Sequence, residues 1–118
     1  METNAENESN RFKYAFFIKH EDSILYCEAK GSYTNIYYNC FEPERVSYRI
    51  CIVEEKLGLY YLKRCHESYI VNLNGILSIV HCDRNTELQL ITGIKIPVSR
   101  NYKDEVINLY YKIRFKPF

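Results

Sequence analysis

The chain has 118 residues, of which 47% are hydrophobic, which is enough for one domain with its own core and too few for two ordinary domains. No run of about 18 apolar residues is present, so the sequence excludes a transmembrane helix. The formal net charge is +1, yet residues 11–118 carry 16 basic and 12 acidic side chains. This weak basic bias permits a polyanionic partner without requiring one.

The first ten residues are polar and acidic and contain no aromatic side chain, which predicts a flexible lead at 1–10. They also lack the basic and apolar regions of an export signal, so we expect a cytoplasmic protein that does not insert into a membrane. The five cysteines form no CxxC pair and are expected to be small buried residues. Cys65 lies beside Arg64 and His66, which leaves a redox role open as an alternative. The histidines and cysteines lack zinc-ligand spacing, and we expect no cofactor.

In chain order, alternating apolar and polar residues predict mostly strands. Two short strands within 62–74 meet at a polar corner made of Cys65, His66, Glu67 and Ser68. The other strands are predicted at 12–19, 24–30, 33–40, 45–51, 76–81, 87–91 and 95–98.

Turn and cap residues connect these strands. Gly31–Ser32, Asn74–Gly75 and Thr92–Gly93 each predict a hairpin. Helical spacing predicts a short helix over 52–57 that ends at Gly58, and Ser99 predicts the N-cap of a closing helix over 100–111. The fold class is therefore mainly β, with one short internal helix and a C-terminal helix.

Four segments carry a resemblance to a known family: ILYCEAKGSYTNIY at 24–37, EEKLG at 54–58, RCHESYIVNLNGI at 64–76 and TGIKIPVSRNY at 92–102. In this order the chain resembles the LytTR family, the DNA-binding domain of LytR/AlgR-type response regulators in bacterial two-component systems. The resemblance covers nearly all of 12–111, and we expect the domain at 11–112 and a tail at 113–118. It implies an elongated stack of small, mostly antiparallel β-sheets without a helix-turn-helix.

The resemblance implies that loops enter successive major grooves of double-stranded DNA. The positions that match base-contacting ones are Thr34, Asn35, Glu67 and Arg100. The positions expected to contact the DNA backbone or to hold the corner are Lys30, Lys63, Arg64, His66, Ser68 and Asn101.

Two of the expected base contacts have competing interpretations. The guanidinium of Arg100 can donate two bonds to guanine, but it can instead pair with Asp104 one helical turn away. Glu67 departs from the basic or amide side chain that is more usual in the family. Its carboxylate can accept a bond from cytosine N4, although phosphates repel it.

The remaining expected contacts also have structural alternatives. His66 faces a phosphate or stabilises the turn, and Lys30 and Lys63 contact phosphates or simply cover solvated strand faces. Ser68 and Asn72 are expected to hold the corner through backbone bonds.

The leading hypothesis is a sequence-specific transcription regulator that catalyses no reaction. The alternative is a protein-interaction module of the same fold with weak or lost DNA binding. An enzyme is disfavoured, because Cys65 and His66 are neighbours on a strand and point to opposite faces.

The resemblance also implies paired direct repeats as the DNA site, so two copies, including a homodimer formed on DNA, are expected there. No receiver domain is visible in the sequence. Control is therefore expected from a separate regulatory protein, from expression level, or from another part of a longer protein.

Overall fold

The computed structural model describes residues 15–82 and 84–115. This part of the chain is mostly β, with two antiparallel sheets and three α-helices, and it is elongated, with extents of 55 × 37 × 27 Å. The elements are α1 (Phe16–Lys19), β1 (Ile24–Lys30), β2 (Tyr33–Tyr38), β3 (Glu44–Val46), α2 (Ile50–Lys56), β4 (Leu62–His66), β5 (Tyr69–Asn72), β6 (Ile76–Cys82), β7 (Asn85–Leu90), β8 (Lys95–Val98) and α3 (Arg100–Arg114).

The first sheet has five strands in the order β3-β2-β1-β5-β4. The predicted hairpin between β1 and β2 is confirmed, with Lys30 opposite Tyr33 and Gly31 at φ +69°. A positive φ is strained for residues with a Cβ, so glycine suits this turn. The hairpin leaves its tip at the end of the sheet, beyond the last paired residues.

The two faces of the first sheet pack against different cores. Cys27 and Ile36 pack with Phe17 of α1 and Val53 of α2 in one core. On the other face, the rings of Tyr26 and Tyr37 stack with centroids 4.4 Å apart and contact the second core. The functional surface must therefore lie at the ends or edges of this sheet.

The second sheet has the order β6-β7-β8, and its buried face packs on α3. Leu88, Leu90 and Ile96 meet Val106 and Tyr110 of the helix, whose apolar residues recur at helical spacing. The two sheets are joined where the N–H of Ser99 donates to the carbonyl of Cys65 at 3.0 Å. This bond fixes the start of α3 beside the corner between β4 and β5.

The strand predicted at 12–19 is wrong where the structure describes it, because Phe16–Lys19 is a helix; Phe12 and Tyr14 lie outside the described residues. The carbonyl of Ala15 accepts bonds from the N–H groups of Ile18 and Lys19. Only Phe17 is fully buried. One buried aromatic on a single helical turn satisfies the core here, so the alternation of aromatic residues was misleading.

Residues 45–51 are not a continuous strand. β3 ends at Val46, and α2 begins at Ile50, because Ile50 and Val53 share the helix face that is buried against the sheet. Gly58 does not end the helix as predicted: the C-cap is Leu57 in an extended conformation, and the φ of Gly58 is not positive.

Two further turn predictions need correction. Residues Leu73–Gly75 form a 3-10 turn instead of a hairpin, since β5 and β6 belong to different sheets. Ser99 precedes α3 as predicted, but its hydroxyl does not cap the helix. α3 also continues to Arg114, three residues past its predicted end.

Candidate nucleic-acid interface

Several loops meet at one end of the molecule, which we call the loop end. It comprises the β1–β2 hairpin tip (Gly31–Ser32), the corner (Glu67–Ser68), the β6–β7 turn and the β8–α3 junction (Ser99–Arg100). The N–H of Ala29 donates to the carbonyl of Ser68 at 2.8 Å and so holds the corner beside the end of β1. Because β1 and β4 end here while β2 and β5 begin here, the sheet itself places these loops together.

A cleft of about 600 Å³ opens between the corner, the β6–β7 turn and α3. Its lining includes His66, Arg84, Thr86, Ser99, Arg100 and Lys103. Three cationic side chains thus surround one opening, and two of these, Arg84 and Lys103, were missed in the sequence. Lys103 could have been found, because it follows Arg100 at i+3 and so shares its helix face. Arg84 follows no motif, and only the turn between β6 and β7 brings it here.

Arg100 is the first residue of α3 and is exposed. No other residue in 15–82 or 84–115 forms an ion pair with it, so the alternative pairing with Asp104 is not formed. Its guanidinium is therefore available to an external acceptor.

Glu67 is exposed at the tip of the corner and connects it to α3. Its Oε1 accepts a hydrogen bond from the Ser99 hydroxyl at 3.3 Å, and its Oε2 lies 3.8 Å from Nδ1 of His66. The carboxylate is thus held next to the residue that precedes Arg100. Two of the predicted base-contacting positions, Glu67 and Arg100, therefore share one surface.

His66 stabilises the turn that presents Glu67. Its Nδ1 accepts a bond from the N–H of Ser68 at 3.0 Å, and its ring packs edge-on against Tyr69. A neutral ring that accepts at Nδ1 carries its proton on Nε2, which leaves one donor for a partner. The turn contact supports the structural interpretation of His66, and Ser68 contributes its main-chain N–H and carbonyl to the corner.

Arg64 was predicted to contact the DNA backbone or to hold the corner, and its bonds lie at the corner. Its side chain is 11% exposed and pairs with Glu54 of α2 at 2.7 Å. Its remaining bonds go to the carbonyls of His66, at 2.8 Å, and Glu67, at 2.6 Å. These three acceptors hold Arg64 behind the corner.

The two positions expected on β2 do not reach the loop end. Thr34 is 0% exposed, and its hydroxyl donates to the carbonyl of Tyr48 at 2.8 Å, so a base contact from Thr34 does not fit this structure. Asn35 is half-buried in mid-strand, opposite Glu28 of β1 and Arg45 of β3. The turn itself lies at Gly31–Ser32, as predicted, and both positions follow it on β2.

The other predicted contacts differ in how free they are. Lys30 adjoins the hairpin tip with a 47% exposed side chain, 3.5 Å from Glu28. Lys63 pairs with Glu105 of α3 at 3.0 Å, so it braces the helix against β4. Asn101 is exposed in the first turn of α3, next to Arg100.

The model of the family described as the LytTr DNA-binding domain matches residues 15–110. The chain belongs to the LytTR family. A solved LytTr DNA-binding domain, from a Bacillus cereus protein described as a methyl-accepting/DNA response regulator, is 26% identical, with a TM-score of 0.63. The match covers 81% of this chain and 84% of that one. A search of curated proteins found no match.

The cysteine of the corner has a packing role in this LytTR domain. Cys65 is fully buried, with Sγ 3.8 Å from the carbonyls of Tyr69 and Pro97. Burial raises its pKa to about 12, against a smaller lowering by Arg64. The thiolate that redox chemistry needs is thus disfavoured.

The hydroxyl group of Tyr69, next to the corner, is bonded to a carboxylate. Burial and a hydrogen bond to Glu28 raise the pKa of Tyr69 to about 12. None of the helices in residues 15–82 and 84–115 is long and apolar enough to cross a membrane.

Proposed function

We propose that this LytTR domain is a transcription regulator that binds duplex DNA sequence-specifically through its loop end. The observation that carries the proposal is the exposed Arg100, which forms no ion pair within residues 15–82 and 84–115, with Arg84 and Lys103 around the same cleft and Glu67 bonded to the neighbouring Ser99. Membership of a DNA-binding family supplies the ligand class.

Arg100 is the principal base-contacting residue in this proposal. A guanidinium can donate two parallel bonds to O6 and N7 of guanine, which is worth about 1–3 kcal/mol of discrimination. Lys30, Arg84, Lys103 and Asn101 would contact phosphates, which set the register of the protein on DNA without identifying bases. Glu67 would accept a bond from cytosine N4, since Ser99 holds its carboxylate at the same surface.

The contacts would span successive major grooves on paired direct repeats. Successive major grooves on one side of the duplex are about 34 Å apart, so different loops of the loop end would enter different grooves. The contribution of the β1–β2 hairpin would come from Lys30 and the exposed tip, because Thr34 is buried and Asn35 lies in mid-strand.

Selection from random duplex pools tests the proposal. Arg100→Ala should lose preference at one or two positions of the enriched motif and bind that motif about tenfold more weakly, which corresponds to 1.4 kcal/mol. Arg114→Ala is the matched control, because Arg114 is an exposed arginine at the other end of α3. An unenriched wild-type pool, or the same motif selected equally well by Arg100→Ala, would contradict the proposal.

A protein-interaction module of the same fold is the second candidate. The near-neutral charge of +1 and the carboxylate of Glu67 at the loop end favour it. Salt separates the two candidates: the logarithm of the DNA affinity should fall with the logarithm of salt concentration by about 0.9 per phosphate contacted. Affinity for DNA that is weak and nearly independent of salt would support the interaction module.

A further inference from the structure

We propose that Arg64, paired with Glu54 of α2, is the positioning residue that sets the direction in which Glu67 faces DNA. The inference rests on the proposed function and assigns to Arg64 a role other than its predicted phosphate contact. At the corner, the pairing of β4 with β5 shifts its register between Arg64 and His66.

The contacts of Arg64 lie on both sides of Glu67. Nε donates to the carbonyl of His66 at 2.8 Å, and Nη2 donates to the carbonyl of Glu67 at 2.6 Å. These carbonyls belong to the two peptide groups that flank the α-carbon of Glu67. Because peptide groups are planar, holding both carbonyls restricts φ and ψ of Glu67 and so fixes the direction of its Cα–Cβ bond.

The third contact joins Arg64 to α2, a helix that packs on the core. Nη1 donates to Oε1 of Glu54 at 2.7 Å, and α2 is itself held by the buried Ile50 and Val53. The packed helix α2 therefore fixes the position of the guanidinium, which in turn holds the exposed tip of the corner. The 11% exposure of Arg64 leaves little of its surface for a phosphate.

Two neighbouring bonds complete the corner. The N–H of Ser68 donates to Nδ1 of His66, and the carbonyl of Ser68 accepts from Ala29. The carboxylate of Glu67 is separately held by Ser99. The backbone of the corner is thus fixed independently of the side chain that it presents, which is the arrangement needed for a preorganised contact.

The shape of the guanidinium matters as well as its charge. Its rigid planar fork reaches two carbonyls and a carboxylate at once, whereas a lysine ammonium is a compact charge on a flexible stem. Arg64→Lys therefore keeps the cation and removes the fork. Arg49→Lys is the matched control, since Arg49 is exposed at the start of α2.

Selection from duplex pools and salt titration test the inference. With Arg64→Lys, we expect preference at the position contacted by Glu67 to fall about tenfold, with an unchanged salt slope, because no phosphate contact is lost. Glu54→Gln should give a smaller fall in the same position. Glu55→Gln is its control, because it removes the same charge from an exposed neighbour on α2.

Amide hydrogen exchange in the free protein gives a readout that does not depend on DNA. Exchange at Ser68 should accelerate about tenfold in Arg64→Lys as the corner opens locally, while exchange at Leu88 in the second sheet stays unchanged. If Arg64→Lys does not fold, Glu54→Gln supplies the same readouts.

Two results would overturn the inference against a wild type that does select a motif. One is an Arg64→Lys protein, or a Glu54→Gln protein if only that one folds, with the wild-type motif and wild-type exchange at Ser68. The other is an Arg64→Ala protein that selects the intact motif with a salt slope reduced by about one, which would make Arg64 a phosphate contact. Failure of the proposed function is distinct, because it would show as a wild-type protein that selects no motif.

Discussion

Asn72 allows a sharp test of how the first sheet is held together. It is 8% exposed, and its amide connects two segments: Nδ2 donates to the carbonyl of Ile24 at 2.9 Å, and Oδ1 accepts from the N–H of Asn74 at 2.8 Å. Asn72→Ala removes this amide, so the carbonyl of Ile24 and the N–H of Asn74 both lose their hydrogen-bond partner. The exposed Asn74 can turn to water, but the carbonyl of the buried Ile24 cannot do so easily. We expect destabilisation of about 2 kcal/mol, since one buried unsatisfied group costs about 1–3 kcal/mol.

Urea unfolding followed by circular dichroism measures this free energy, and the melting temperature should fall by about 8 °C for a domain of this size. Asn74→Ala is the control, because it deletes the same side chain from an exposed neighbour and should change stability by less than about 0.5 kcal/mol. Equal stabilities of the Asn72→Ala and Asn74→Ala proteins would refute the reasoning. The motif selected from DNA pools should not change in either, since Asn72 lies at the end of β5 away from the corner.

Three further predictions concern backbone strain, thiol reactivity and alkaline stability. Gly31→Ala should cost about 1 kcal/mol because of its φ of +69°, whereas Gly58→Ala, without a positive φ, should be neutral or slightly stabilising in the same urea assay. Native-state alkylation followed by mass spectrometry should modify the exposed Cys51 and spare Cys65, whose pKa is raised to about 12; rapid labelling of Cys65 would contradict its burial. The pKa of Tyr69 is raised from about 10 in the unfolded chain to about 12 in the fold, so its contribution to the free energy of unfolding is complete below pH 10. That contribution is lost as the pH rises from about 10 through about 12. Tyr69→Phe should therefore flatten the fall in stability over that range.

The alternation of apolar and polar residues predicted a strand correctly where one face of the strand packs into a core. β2, β7 and β8 alternate in burial, because residues such as Ile36 and Leu88 turn toward apolar layers. β1 does not alternate, since Tyr26 and Cys27 are both buried, in different cores. The same signal failed around Phe16, since a single helical turn can bury one aromatic among several without any pairing partner. Alternation reports which residues are apolar, and the packing of distant elements decides how they are used.

The loop end could be predicted only in part. Glu67 and Arg100 were each expected to contact a base, and the bond from Ser99 to Glu67 accounts for their proximity. The shielding of Thr34 and Arg64 could not be predicted, because a resemblance matches positions in a sequence, whereas exposure depends on tertiary partners such as Tyr48 and Glu54. Arg84 lies outside every quoted segment, and its proximity to the cleft follows from the β6–β7 pairing.

The separation between backbone support and presented side chain explains how an unusual carboxylate can occupy the corner. The bonds of Arg64 and of Ser68 engage main-chain carbonyls, an amide and the ring of His66, and none of them requires a particular side chain at position 67. The carboxylate itself accepts a 3.3 Å bond from Ser99, and this bond is exposed and therefore weak. A change such as Glu67→Gln should then alter the base preferred at one position while leaving the fold and the contact of Arg100 intact. The backbone of the corner is held by Arg64 and Glu54, whereas the side chain at position 67 can be exchanged without loss of these bonds.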